Sequence, residues 1–330
     1  MSSIVAIRPT HAIEGGRIIV EGGPFTVGYG ALPQIRVGGV EARLVWASPT
    51  SLGVIIPGGL EGGRLPVRVD EVPGATAFID VGEPVATGIH QVDSPVIDAE
   101  GTAYLTFSGG RGQQAPVSIY RVRSGGPREV FVTGLTNPTS LALDTADRLY
   151  VSSRFDGTVS RVDRDGRVET FATDLGVACG LAFDAEGWLF VGDRTGTIFH
   201  LDPEGNATAF ASLPPSIAAF HLAVAPDGTL YATAPTPASR DAVYRIDRRG
   251  HVVALTRVFG RPQGLACDAK GRLFVVEALA GAGGVYRLDG DGGCELVLAG
   301  QGLIGLAFDP RGGFIVTSAE TAYRFNGTLG

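Results

Sequence analysis

The chain has 330 residues, 44% of them hydrophobic and only 18% charged, with a formal net charge of −7. That length suggests about two domains, and the acidic balance argues against a nucleic-acid surface, which shows as a basic face. No apolar stretch approaches the ~20 residues that cross a bilayer, so neither a nucleic acid nor a membrane is an expected partner. The start, MSSIVAIRPTHAIEGG, has no basic segment followed by a long apolar one, which makes the cytoplasm the expected location. Cys179, Cys267 and Cys294 are scattered and form no CxxC pair, so they fit neither a zinc site nor a disulfide framework.

Residues 1–82 read as short alternating strands. Apolar runs (RIIVEG, QIRVGG, LGVIIP, LPVRVD, TAFIDV) are separated by Gly and Pro turns, which predicts a small all-β sandwich.

From residue 83 the rhythm changes to a repeat. SPVIDAEGTAYLT (94–106), SLALDTADRLYVS (140–152), GLAFDAEGWLFVG (180–192), HLAVAPDGTLYAT (221–233), GLACDAKGRLFVV (264–276) and GLAFDPRGGFIVT (305–317) share one pattern. The equivalent positions 98, 144, 184, 225, 268 and 309 are 46, 40, 41, 43 and 41 apart. A period near 40 with several short strands per unit is the signature of a β-propeller. Each unit continues with a third run (GTVSRVD, GTIFHLD), a Gly turn and a fourth run (VETFATDL, ATAFASL), giving one four-stranded blade. The Asp that recurs in five of the six units resembles a catalytic carboxylate, but its fixed offset from Gly marks a turn whose backbone N–H groups it accepts.

The sixth unit lacks a fourth run. Residues 83–98 align with 169–184, so EPVATGI is expected to supply that strand and leave no open edge in the ring. The expected architecture is an all-β sandwich over 1–82 and a six-bladed propeller over 83–330, closed by its N-terminal strand. Deleting residues 1–80 is then expected to leave a folded propeller, and deleting 1–90 to expose an edge.

Residues 4–81 resemble the IPT/TIG immunoglobulin-like family through Ile7 to Pro9, GGRIIVEGGPF, VGGVEARLVWASPTSLGVIIP and LPVRVD. Such domains serve as interaction or spacer modules. The repeats resemble the NHL-repeat proteins and the senescence-marker/gluconolactonase family, whose enzymes open sugar lactones with a divalent metal in the central channel. The resemblance places the metal-ligand positions five residues before each repeat Asp, at Asp93, Thr139, Cys179, Phe220, Gln263 and Ile304.

The family's Glu, Asn and Asp ligands correspond here to Asp93, Phe220 and Gln263, and a substrate-contacting Asn to Cys179. One carboxylate, one amide and a phenyl ring make a poor hard-cation cage, so no metal or other cofactor is expected, with Asp93 the one weak candidate ligand. His221 offers a nitrogen or is a hydrogen-bonded wall residue; Cys179 is a nucleophile or an inert channel thiol. Arg111, Arg154, Arg194 and Arg240 fall between second and third runs, with Glu277 and Glu320 on the opposite arc. Arginines on consecutive blades hold an anion by forked hydrogen bonds, or form a solvated rim. The expected function is binding of a small molecule or protein at the channel mouth; the alternatives are a lactonase-like hydrolase with altered ligands and a lyase.

Overall fold

The computed structural model describes residues 3–330 except 29, 31, 71, 73–75, 280 and 291, and every element in it is a β-strand. The N-terminal strands are β1 (Ser3–Arg8), β2 (His11–Ala12), β3 (Arg17–Gly23), β4 (Ile35–Val37), β5 (Val40–Ser48), β6 (Ser51–Ile55), β7 (Gly63–Val69) and β8 (Ala77–Val81). They run in the order β1-β3-β6-β5-β4-β7-β8-β2, and β5 turns from one layer into the other by pairing β4 with Val40–Ala42 and β6 with Arg43–Ser48. Alternate residues point inward, so Ile18 and Val20, Ile35 and Val37, Val67 and Val69, and Ile79 and Val81 fill one shared core, as period-2 patterning requires.

The propeller follows. β9 (Glu83–Thr87) precedes β10 (Val96–Ile97), β11 (Ala103–Thr106), β12 (Ile119–Val122) and β13 (Arg128–Val132), which form an antiparallel sheet. The next sheets are β14 (Pro138–Leu143) to β17 (Val168–Ala172) through β15 (Leu149–Ser153) and β16 (Thr158–Val162), and β18 (Ala178–Phe183) to β21 (Ala207–Ser212) through β19 (Leu189–Asp193) and β20 (Thr197–Leu201). A further sheet comprises β22 (His221–Val224), β23 (Leu230–Thr233), β24 (Asp241–Ile246) and β25 (Val252–Phe259). Then come β26 (Pro262–Cys267), β27 (Leu273–Glu277), β28 (Gly284–Leu288) and β29 (Cys294–Ala299), and last β30 (Leu303–Phe308), β31 (Phe314–Ser318) and β32 (Thr321–Phe325).

Two connections differ in interest. β32 takes β9 as its antiparallel neighbour, Thr321 opposite Thr87 and Arg324 opposite Glu83, so the upstream strand fills the place the last unit leaves open. The innermost strands touch their neighbours in a closed circle, β10 to β14, β18, β22, β26, β30 and back to β10.

The sheets are not six separate ones, as the repeat predicts. Five stand alone, whereas β26–β29 continue through β2 into the N-terminal strands as one twelve-stranded sheet. The reason lies at an edge. The outer strand of a blade leaves backbone groups unpaired, and His11 and Ala12 pair in parallel with Leu298 and Ala299 of β29 while pairing Asp80 and Val81 of β8 on their other side. Ile13 then enters the core formed by Phe274, Val276, Leu303 and Phe314, and Glu14 Oε1 accepts the Tyr323 hydroxyl at 2.9 Å. Residues 1–80 are thus more than an appended module: their second strand pairs with the propeller strand β29, and their removal takes that strand and Ile13 away.

The repeated Asp is a turn device. Asp98 Oδ1 accepts Glu100 N–H at 3.0 Å and Thr102 N–H at 2.8 Å, Asp144 does the same for Ala146 and Arg148, and Asp268 for Lys270 and Arg272. The later hairpin of the blade reuses it, with Asp163, Asp202 and Asp247 each accepting N–H groups two and four residues on.

Candidate functional site

The starts of the innermost strands bring several sequence-selected residues to the channel. Asp93 and His221, 128 residues apart, lie across it with Asp93 Oδ1 2.6 Å from His221 Nδ1, both side chains buried. The same Asp93 oxygen accepts Ser94 N–H at 2.6 Å. Gln91 fixes the segment: its amide donates to the Asp93 carbonyl at 2.7 Å and accepts Thr106 N–H at 2.8 Å. The approach of neighbouring strands is close, since a Cβ on Gly264 would stand 2.5 Å from Ser94 Oγ. Among the described residues, the buried side-chain polar atoms with no hydrogen-bond partner are His221 Nε2, Ser94 Oγ and Ser108 Oγ.

Cys179 adjoins this pair. Burial pushes its thiol up to about 12; the Phe220 backbone opposes the shift, nearby Asp93 adds to it, and Arg154 and Arg194 pull against it. At neutral pH it is a protonated, buried thiol, which excludes a poised nucleophile. Phe220 is fully buried, Thr139 turns its hydroxyl to the Asn137 carbonyl at 3.0 Å, and Gln263 is buried with its carbonyl accepting from Thr233 Oγ1 at 2.5 Å. The donor set does not suit a hard cation. Asp93 spends one oxygen on Ser94 and His221, Phe220 offers no donor, and the described residues contain no group of three or more His, Cys, Asp or Glu placed to hold a metal.

The arginines come together above. Arg111 lies between β11 and β12, Arg154 between β15 and β16, and Arg194 between β19 and β20. All three line one pocket of about 390 Å³ with Asn137, Phe155, Gly176 and Val177. Each loop has its own brace. Asn137, at φ 45°, donates to the Ser108 and Gly110 carbonyls at 2.6 and 2.9 Å and accepts Gly112 N–H at 2.7 Å, fixing the Arg111 loop. Ser153 Oγ, with one proton to give, lies 2.7 Å from the Thr136 carbonyl and 3.0 Å from the Asp156 carboxylate, and it accepts Asp156 N–H at 3.1 Å beside Arg154. Asp193 accepts Val177 N–H at 2.8 Å and the Thr195 hydroxyl, which frames Arg194.

Among the described residues none of these three arginines forms an ion pair, whereas Arg121, Arg148, Arg161, Arg272, Arg287 and Arg311 each face a carboxylate. Burial lowers the Arg154 pKa; the Cys179 position offsets this, while Arg194 and Arg111 repel in the same lowering sense. Like charges thus converge with no carboxylate in the pocket lining, an arrangement that a bound anion relieves.

Glu277, expected on the rim, faces backbone rather than solvent. It is buried, and its two oxygens accept Gly260, Arg261 and Leu279 N–H at 2.6, 2.9 and 2.7 Å, the loop-bracing role that Asp193 plays two sheets away. Arg240 is also engaged elsewhere, donating to the Val258 carbonyl. Sequence reasoning passed over Asn137, Phe155 and Asp193. Only Asn137 carried a signal, the Asn-Pro step that marks a turn.

No family model matches the chain, and no curated protein matches it. Solved structures do. An auxiliary nutrient binding protein from Bacteroides ovatus shares 14% identity at a TM-score of 0.55, with 98% of this chain and 97% of that one covered. A gluconolactonase from Xanthomonas campestris shares 17% identity at 0.61, covering 74% of this chain and 88% of its own. Virginiamycin B lyase from Staphylococcus aureus shares 12% at 0.51, with 75% and 89% covered. At such identities the likeness concerns the propeller fold.

Proposed function

We propose that this protein binds a small anionic molecule at the channel mouth, in the pocket of Arg111, Arg154 and Arg194. We read the propeller as six-bladed, counting β26–β29 as a blade, and residues 1–82 as an immunoglobulin-like module of the IPT/TIG kind. The observation that carries the binding reading is the convergence of three arginines from three successive sheets on one pocket whose lining holds no carboxylate. The full-length likeness to a nutrient binding protein agrees with it.

The test is calorimetric titration of phosphate esters and small carboxylates into the purified protein. Binding should weaken with added salt, and Arg154→Gln should raise Kd by about tenfold or more, since a charge-assisted hydrogen bond is lost. A Kd indifferent to Arg154→Gln sinks the reading. The alternative, a lactonase with altered metal ligands, requires a saturable rise in Tm on adding calcium, magnesium, manganese or zinc to chelator-treated protein. The donor set around Asp93 argues that no such rise occurs. A rise that vanishes in Asp93→Ala, with gluconolactone hydrolysis, moves the lactonase reading ahead.

A further inference from the structure

The pocket has a feature that charge does not explain. Phe155, the residue after Arg154, lines it and is 53% exposed. A Cβ on Gly112 would stand 2.9 Å from the Phe155 ring, so the ring rests on the Arg111 loop at a point where only glycine fits. Asn137 holds that same glycine through its N–H. Ring and loop are therefore positioned together. Among the described residues no aromatic ring pairs with Phe155 and no guanidinium lies over it. Val177 extends the apolar surface beside it.

We propose that the ligand is an anion carried directly on an aromatic ring, an aryl phosphate or arene carboxylate, with the ring against Phe155 and the anionic group among the three arginines. This inference rests on the anion-pocket reading and goes beyond it by naming the part of the ligand the arginines do not hold. The physics is twofold. A large apolar side chain left half exposed beside three cations gains from apolar burial only if the ligand brings apolar surface. Guanidinium planes also stack on aromatic faces, so a ring inserted between Phe155 and an arginine is favoured on both sides. A small polar anion uses the charges and leaves Phe155 in water.

The experiment compares methyl, cyclohexyl and phenyl phosphate by calorimetry on the wild-type protein and on Phe155→Ala. Phe155 is on an exposed loop, and an unchanged Tm will show that the variant is folded. Phenyl phosphate should bind about tenfold tighter than methyl phosphate, the factor that 1.4 kcal/mol of aromatic contact produces. In Phe155→Ala the preference of phenyl over methyl phosphate should collapse. Phenyl and methyl phosphate binding equally, cyclohexyl phosphate matching phenyl, or a preference that survives Phe155→Ala each overturns the aromatic inference and leaves the anion pocket standing. Failure of all three phosphates to bind wild-type protein overturns the anion-pocket reading itself.

Discussion

Asp93 and His221 meet at 2.6 Å in a buried channel, and the contact decides what each can do. One carboxylate oxygen, Oδ1, is shared by Ser94 N–H and the imidazole. Removing Asp93 leaves His221 buried with neither ring nitrogen paired, because Nε2 has no partner to begin with. Asp93→Ala is therefore expected to cost about 3 kcal/mol, the scale for breaking one side of a buried pair. The double replacement Asp93→Leu with His221→Phe should recover part of it, since both polar groups then go together. Urea midpoints for the single and double variants check this; a single variant within 0.5 kcal/mol of wild type, on the order of an ordinary surface change, would mean the pair is not a tie across the ring. Cys179 follows the same logic. With its thiol held up at about 12 by burial, and Cys267 likewise, a thiol reagent at pH 7.5 should label exposed Cys294 first, then part-buried Cys267, and Cys179 only on unfolding. Sequence placed Asp93, Cys179 and His221 at the channel by counting back from the repeat, but nothing local in either segment announces a partner on the opposite side. A contact across 128 residues is made by the ring, not by the segment.

At the scale of strands and turns, the repeat was readable because one hairpin chemistry recurs. An Asp accepting N–H groups two and four residues on leaves a fixed Asp-to-Gly spacing in the sequence. These turns also predict an acid response. Burial pushes the Asp268 carboxyl up, yet the Arg272 guanidinium and turn N–H groups outweigh it, and the group lies below its ordinary 3.8. Asp309 shows the same balance with Arg311. A carboxyl depressed in the folded state stabilises the fold fully above 3.8, and that contribution is lost as pH falls through the lower folded value. Asp268→Asn should thus lower the urea midpoint at pH 6 and lower it less at pH 3; an equal drop at both pH values would show that ionisation is not what holds the turn. The strand β2 was illegible for the opposite reason. Two residues carry no period, and the arginine loops have none either, so only their place after each second strand could be read. That place leads to Arg111, Arg154 and Arg194, which share one pocket, and to Glu277, which accepts backbone N–H groups, because a loop-bracing carboxylate and a rim carboxylate look alike in a sequence.

For the whole molecule, the strand pairings β2–β29 and β9–β32, which join residues 1–90 to the ring, differ in kind, and they can be separated. β9 completes the sheet of β30–β32, so its loss leaves β32 with an open edge, which is a template for association. β2 covers the edge of β29, Ile13 fills a core site beside Phe274 and Leu303, and Gly16 lies against the Ala299 carbonyl where no side chain fits. Deleting residues 1–80 therefore removes a cover and a buried isoleucine but leaves the ring closed. That truncation should keep the association state of the intact chain by size-exclusion chromatography while losing stability, with the missing Ile13 alone worth about 2–4 kcal/mol by analogy with large-to-small core changes. Deleting residues 1–90 takes β9 as well and should shift the protein to aggregates. Ile13→Ala in the full chain isolates the core term: its Tm should fall between those of the intact protein and the shorter truncation. A Tm for the 1–80 deletion equal to that of the intact chain would mean the N-terminal strands rest on the propeller without supporting it, and equal solubility of both truncations would mean β9 is not what closes the ring.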